Sequence, residues 1–283
     1  MRRAHRLRGA LAGLLAVGAL LGPLAGCSEP SAPVAPFQRL GRRAAHPTSV
    51  PRAGAAARVA AARRWGLAAP LAPAPRPPSG GASARLPFVV DRVPVRARVV
   101  FLTFDDGPVT DPGFPRMIRD LELPVALFLT SANPGGALAP DAATRERLDE
   151  LRALGAGLYN HTLDHRDLRT LDHAGQRAQI CGQRDRIAAR FGSRPRLFRP
   201  PYGAYDATTL RAAKECGVGA VVLARVTMTA DGPRYARGAR SLRPGDIVRV
   251  RLGPGADATR RTARALDYIR TRGFTVGRIE DYL

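Results

Sequence analysis

The chain has 283 residues, 45% of them hydrophobic, which is enough to bury a core and excludes a wholly disordered protein. The formal net charge of +22 would suit nucleic acid, but Lys214 is the only lysine and the arginines are spread along the chain. We interpret the charge as a compositional bias and expect no nucleic-acid partner, because no aromatic-rich surface for stacking bases accompanies the arginines.

The N-terminus has the pattern of an export signal. Several arginines precede the apolar stretch Ala10–Leu24, which is short for a membrane span. The residues Leu24–Cys27 (LAGC) resemble a bacterial lipobox. They predict a signal peptide at 1–26, a lipid on Cys27 that attaches the protein to the membrane, and a location at the outer face of the cell membrane. An ordinary secretory signal with an incidental cysteine is the alternative.

Residues 27–89 are rich in Ala, Pro, Arg and Gly and have no sustained period. Such a composition offers too little apolar surface to offset the entropy of ordering, so we predict a flexible, disordered linker. The run Val59–Trp65 would form at most a transient helix. Further along, Cys181 and Cys216 either pair in a disulfide or remain buried thiols, and the sequence leaves both open.

From residue 90 to 283 apolar runs alternate with amphipathic stretches, which predicts strands alternating with helices. The predicted strands lie at 99–102, 125–129, 157–160, 196–198, 220–226, 247–252 and 274–279. The predicted helices lie at 113–121, 141–154, 172–191, 206–216 and 257–272. This alternation predicts an α/β fold with a parallel sheet, closed into a distorted (β/α) barrel of about seven strands. The functional loops are then expected at the carboxyl ends of the strands.

Adjacent carboxylates end the first long strand. In Thr103–Pro108 (TFDDGP), Asp105 and Asp106 stand at the mouth of a buried strand, where carboxylates are costly unless a cation neutralises them. A solvated Asp-Asp-Gly turn is the alternative.

Two histidines follow the third strand. His161 and His165 are four residues apart, so on a helix both imidazoles would face the same way, the spacing of a metal-binding pair. Barrel geometry brings them to the same rim as the aspartates. Asp106, His161 and His165 therefore predict a divalent-metal site, for Zn²⁺ or alternatively Co²⁺, Ni²⁺ or Mn²⁺. Ordinary surface or core histidines are the alternative.

A third polar segment, Phe198–Gly203 (FRPPYG), follows the next strand. Its arginine can grip a carboxylate with two hydrogen bonds, and its prolines restrict the loop. Taken alone, the segment is more typical of a rigid turn than of a catalytic loop.

Together and in this order, the three segments resemble the motifs of the polysaccharide deacetylases, which share the NodB homology domain of the carbohydrate esterase family 4 type. The resemblance covers residues 90–283. It implies hydrolysis of N- or O-linked acetyl groups on an acetylated glycan, such as peptidoglycan, a chitin-like polymer or another polysaccharide. It also implies that Asp105 is the general base, that Arg199 orients it, that the Tyr202 backbone amide stabilises the oxyanion, and that Pro200 lies in the substrate-binding loop.

Two further family motifs differ in this chain. The family places a Trp where Val221–Arg225 has no aromatic residue, and Leu223 is the apolar substitute expected to contact substrate. The family's general-acid histidine corresponds to Arg251, which we place at the substrate but which cannot give up a proton at neutral pH. The alternative function is therefore a weak or inactive relative that keeps the metal and binds glycan as a cell-envelope lipoprotein.

Overall fold

The computed structural model describes residues 53–77, 88–105, 111–131, 142–236, 238, 240–252 and 257–283, all within the unit that spans 47–283. No helix in these ranges is long and apolar enough to span a bilayer. The predictions of a signal peptide at 1–26, a lipid on Cys27 and a metal ligand at Asp106 fall outside the described residues.

A single sheet of ten strands forms the centre of the described unit. In chain order the strands are β1 (Val89–Val90), β2 (Val99–Asp105), β3 (Ala126–Leu129), β4 (Gly157–Asn160), β5 (Leu197–Phe198), β6 (Ala220–Val222), β7 (Val226–Thr229), β8 (Gly232–Tyr235), β9 (Ile247–Val250) and β10 (Thr275–Val276). Across the sheet the order is β1, β6, β5, β4, β3, β2, β9, β7, β8, with β10 beside β2. All these neighbours are parallel except the β7–β8 hairpin, so the predicted α/β class is confirmed.

In the described ranges, six α-helices accompany the strands: α1 (Ala55–Arg64), α2 (Gly113–Asp120), α3 (Ala142–Ala153), α4 (His173–Phe191), α5 (Ala207–Glu215) and α6 (Ala258–Thr271). The side chains of Asp172, Asp206 and Asp257 accept backbone hydrogen bonds at the starts of α4, α5 and α6, which fixes where these helices begin. Gly192 ends α4 with a φ of 74°, a left-handed conformation that favours glycine. The ranges predicted for α2 to α6 agree to within one residue at each end.

The sheet curls into a half-barrel. Segments without regular secondary structure connect its β1–β6 side to its β9 side. Arg92, just after β1, forms an antiparallel bridge with Asp246, just before β9. The amide of Leu223 donates to Val90 O, whereas the amide of Arg225 donates to Ile247 O. The chain therefore crosses from β6 to β9 here, and the single strand predicted at 220–226 is wrong. The prediction of about seven strands likewise missed β1 and the β7–β8 hairpin.

Apolar side chains fill both faces of the curled sheet. Phe101, Phe128 and Tyr159 belong to the cluster inside the curl, while Phe104, Leu127 and Val248 belong to the cluster beneath the outer helices. Strands that are buried on both faces explain the uninterrupted apolar runs in the sequence.

A disulfide joins Cys181 of α4 to Cys216 at the end of α5. The two helices pack against each other on the outside of β5 and β6, where Cys216 is buried with Ile180 and Val221. Of the two alternatives that the sequence left open for these cysteines, the structure has the paired one.

The prediction of a flexible linker at 27–89 is wrong for residues 53–77. This N-terminal arm contains α1 and packs on the outside of the barrel, where Leu67 is only 2% exposed within the outer core cluster. Trp65 Nε1 donates to Asp120 at 3.0 Å, and Tyr282 Oη donates to Pro75 O at 2.6 Å. The linker was predicted from composition, which does not reveal that a few small or apolar side chains, such as Ala62 and Leu67, are buried against the rest of the domain.

We expect Leu67→Ala to lower the free energy of unfolding by about 2–5 kcal/mol, because it opens a cavity where the arm meets the core. Val59→Ala, an exposed position on α1, is the matched control and should change the free energy by less than about 0.5 kcal/mol. Urea denaturation of the full-length protein measures both. Equal effects of the two substitutions would show that the arm does not contribute to the stability of the domain.

Candidate active site

Asp105 is the last residue of β2 and projects from the carboxyl end of a buried strand. Thr103 and Asp105 lie on the same side of β2 because side chains alternate along a strand. The Asp105 carboxylate is largely buried, so it requires cationic partners within the protein. Asp106, the next residue, lies outside the residues that the structure describes.

Arg199 directly follows β5 and reaches across the inside of the curl to Asp105. Its Nη1 donates to Asp105 Oδ1 at 2.6 Å and to Thr103 Oγ1 at 3.0 Å, and its Nε donates to Val222 O at 3.0 Å. The guanidinium stacks on Phe128, with Cζ 4.1 Å from the ring centre. With 2% of its side chain exposed, Arg199 forms a buried ion pair with Asp105 and can orient that carboxylate as the resemblance implied.

The charges around Asp105 determine its protonation. Burial by itself would raise the pKa of Asp105, but the charge of Arg199, followed by the contributions of His161 and Arg249 and by the hydrogen bond from Arg199, outweighs burial and holds this pKa well below its usual range. Burial also lowers the pKa of Arg199, which Asp105 partly offsets, and the guanidinium remains charged. Asp105 is therefore a carboxylate at physiological pH, the form that a general base requires.

His161 and His165 come together, but not on a helix. Residues 161–165 form an irregular loop after β4, and Thr162 and His165 have φ values of 73° and 54°. The helical spacing suggested for this pair is therefore wrong. These left-handed residues turn the loop back on itself, so the two imidazole centres lie 4.9 Å apart all the same.

Hydrogen bonding fixes the tautomer of His161. Its Nδ1 lies 2.7 Å from Arg199 O, and since a carbonyl oxygen only accepts, Nδ1 carries the proton. In the neutral imidazole, Nε2 is then the nitrogen with the lone pair. A backbone carbonyl that orients an imidazole in this way is a common feature behind metal-binding histidines.

Buried glutamines on α4 hold the loop that carries the histidines. Gln179 accepts a hydrogen bond from the amide of Asp164 at 2.9 Å and donates to Asp164 Oδ2 at 2.7 Å. Gln183, one turn later, donates to Leu129 O at the end of β3. The residue before His165 is thus attached to a helix at two atoms. These glutamines were not among the predicted site residues, although the sequence shows Gln179 and Gln183 four residues apart, the spacing of one helix face.

The loop after β5 brings Pro200 and Tyr202 to the same rim. Pro200 is buried, whereas Tyr202 has a φ of 60° and is 71% exposed. The Tyr202 ring centre lies 4.9 Å from that of His165, in an edge-on contact. A left-handed tyrosine is strained, and such backbone conformations concentrate at functional sites.

Leu223 and Arg251, which were predicted from the two family motifs that differ in this chain, also lie at the carboxyl ends of strands. Leu223 follows β6 and is half-buried, and Arg251 follows β9 and is exposed. Arg249, which the sequence analysis missed, makes a direct contact with the site, because its Nη1 lies 3.2 Å from Asp105 Oδ2. Its register opposite Thr103 explains this contact. The alternation of Arg249 and Arg251 on a predicted strand was the signal that could have revealed it.

Among the described residues, no group of three or more His, Cys, Asp or Glu side chains is arranged to hold a metal ion. Asp106, the third predicted ligand, lies outside the described residues. The complete set of Asp106, His161 and His165 was therefore not part of that comparison.

The polysaccharide deacetylase family matches residues 92–221, and the chain belongs to this family. The expected fold and membership are thereby confirmed.

Three similar proteins accompany this match. An uncharacterised protein of Streptomyces coelicolor is 52% identical over 202 residues, covering 70% of this chain and 78% of that protein. A chitooligosaccharide deacetylase of a Bradyrhizobium species is 29% identical over 63% of this chain and 88% of that protein. The structure of a family 4 carbohydrate esterase from Bacillus anthracis superposes with a TM-score of 0.56 and 19% identity, covering 69% of this chain and 86% of that one.

We expect Arg199→Met to lower the free energy of unfolding at pH 7 by about 3–5 kcal/mol, because it leaves the Asp105 carboxylate without its buried partner. Arg249→Met removes the more exposed arginine from the same carboxylate and should cost about 1 kcal/mol or less. Urea denaturation followed by circular dichroism measures both. Equal losses would contradict the assignment of Arg199 as the principal counter-ion of Asp105.

Proposed function

We propose that the protein is a metal-dependent hydrolase that removes N- or O-linked acetyl groups from a polysaccharide. The observation that carries this proposal is the convergence of Asp105, with its own buried arginine, and the His161–His165 pair at one rim of the barrel. Family membership supports the reaction class, and the relative named a chitooligosaccharide deacetylase supports an acetylated glycan as substrate.

The donor set suits a divalent metal, with Zn²⁺ as the proposed ion. Asp106, His161 and His165 would hold it, and the Nδ1–H of His161 that donates to Arg199 O leaves Nε2 as the coordinating nitrogen. When bound, the ion supplies Lewis-acid polarisation of the acetyl carbonyl and lowers the pKa of water.

Each remaining role belongs to a residue of the chain. Asp105 accepts the proton of the attacking water, and Arg199 keeps the carboxylate ionised and oriented. The Tyr202 amide donates to the oxyanion that develops on the acetyl oxygen. Pro200 and Leu223 contact the sugar, and Arg251 replaces a general acid with a cation that cannot give up a proton.

We further propose that the protein is exported and attached by a lipid on Cys27 to the outer face of the cell membrane. The Cys181–Cys216 disulfide supports export, because such bonds persist in oxidising compartments outside the cytoplasm.

A second candidate is a metal-retaining relative that binds glycan without hydrolysing it. It is favoured by Arg251 in the position of the family's general acid and by Arg249 at Asp105 Oδ2, because both arginines change the proton-transfer groups of the site. Loss of a general acid costs about 10²–10⁴ in rate, and an ester is less sensitive than an amide because its leaving group needs less protonation.

We expect the zinc-loaded, full-length protein to release acetate from an O-acetylated polysaccharide, from N-acetylated chitooligosaccharides, or from both. Asp105→Asn should lower the rate by about 10²–10⁴, because the base is lost. Asp149→Asn, an exposed carboxylate on α3, should leave the rate unchanged. Acetate release no faster than that of Asp105→Asn on both substrates would establish the second candidate instead.

We expect His161→Ala to abolish stoichiometric zinc binding, and Gln179→Ala to weaken it by roughly tenfold, because outer groups that orient metal ligands typically contribute this much. Gln176→Ala is the matched control: this glutamine is also buried on α4 but bonds to Thr209. Isothermal titration with Zn²⁺ reports affinity independently of activity. Full binding by His161→Ala would show that the metal site is assigned to the wrong residues.

A further inference from the structure

Arg249 stands beside the candidate base on the inner wall of the barrel. Its Nη1 lies 3.2 Å from Asp105 Oδ2, and its Nη2 lies 3.4 Å from Thr227 Oγ1 of β7. The side chain is 28% exposed, so part of it is in contact with solvent. Arg249 is therefore both part of the site wall and accessible to a ligand.

Asp105 does not require Arg249 as its counter-ion. Arg199 already forms the shorter contact, at 2.6 Å, and is almost completely buried beside the carboxylate. Among the described residues, two guanidiniums thus contact one carboxylate, which leaves one positive charge uncompensated at the mouth. A metal ion in the proposed site would add further positive charge. Uncompensated charge in a partly desolvated position is costly, and an incoming anion removes that cost.

The hydrogen bonds of Arg249 also leave donors to spare. A guanidinium has five N–H groups, and the described residues accept from Arg249 only at the two long contacts given above. Its Nε is buried and has no acceptor among the described residues. A carboxylate, with two oxygens in one plane, is the acceptor that best matches the geometry of a guanidinium.

Arg251 extends the same wall outward. Its amide donates to Met228 O at 2.9 Å, so pairing with β7 continues to this residue. Alternation along the strand puts Arg249 and Arg251 on one face, with Cα atoms roughly 7 Å apart. Continuing the register of β9 with β2 puts Arg251 opposite Asp105. Two cations therefore line one wall of the mouth, leading away from the candidate base.

We infer that Arg249 and Arg251 form an anion subsite, and that the acetylated glycan taken by this protein carries a carboxylate close to its acetyl group. This inference rests on the proposed acetyl hydrolase function and names the substrate class of the same site. Among the described residues, a neutral glycan would leave Arg251 without an ionic partner and Arg249 with only the Asp105 carboxylate that it shares with Arg199, whereas an acidic sugar residue would neutralise the remaining charge and fix the orientation of the acetyl group.

Equilibrium binding to a matched pair of oligosaccharides tests the inference. The probes are an acetylated oligosaccharide that contains uronic acid residues and its carboxyl-reduced counterpart, titrated into the zinc-loaded, full-length protein. The wild-type protein should bind the acidic probe about tenfold more tightly or better, as expected for a charge-assisted hydrogen bond. Added salt should reduce this preference. Arg249→Met and Arg251→Met should each diminish it, and Arg234→Met, an exposed arginine on β8, should retain it.

Acetate release from the same two probes separates this inference from the proposed function. Equal affinity of the wild-type protein for both probes overturns the anion subsite. If the protein nevertheless releases acetate from both probes, the proposed hydrolase function stands without the subsite. A preference that survives both Arg249→Met and Arg251→Met also overturns the subsite. A preference that these two substitutions remove, without acetate release from either probe, supports the subsite and overturns the hydrolase.

Discussion

The buried guanidinium of Arg199 is the constraint on which the site depends. Arg199 follows β5 and reaches Asp105 on β2, although β4 and β3 lie between these strands. In a flat sheet that separation would be roughly 14 Å, so only a curled sheet brings the two ends within hydrogen-bonding distance. The same residue stacks on Phe128, donates to Val222 O and accepts from His161 Nδ1. The side chain of Arg199 thus depends on the curvature and compensates the charge of Asp105, and the backbone carbonyl of the same residue orients the imidazole of His161.

The loop with the histidines is held from the outside by polar groups. Left-handed turns at Thr162 and His165 are unfavourable for residues with a Cβ, so the surrounding structure must enforce them. Gln179 does so at Asp164, and Asn160 Oδ1 accepts from the amide of Thr162 at 2.9 Å. The inner ion pair and the outer glutamines therefore act on the same few residues from opposite faces of the sheet.

The parts of the fold that follow from periodicity could be predicted from the sequence. Uninterrupted apolar runs predicted strands such as β2, and amphipathic stretches predicted helices such as α4. The interruption between β6 and β7 at Leu223 could not be predicted. It arises because the amide of Leu223 donates to Val90 O whereas that of Arg225 donates to Ile247 O, and both partners are distant in the sequence. The proximity of Asp105, Arg199 and the histidines followed from the rule that parallel strands place their carboxyl ends together. Arg249 was missed because its position depends on register, which local composition does not encode.

The N-terminal arm changes how far the domain can move from a membrane. The amide of Ala53 donates to Glu122 at 2.8 Å, so the chain is already attached to the barrel at this residue. A lipid on Cys27, as proposed above, would leave the 26 residues from 28 to 53 as the tether. Whatever its conformation, that length spans at most about 90 Å. If the proposed lipid anchor and glycan substrate are correct, the glycan within reach would be the layer next to the membrane, and substrate choice would be limited by distance as well as by chemistry.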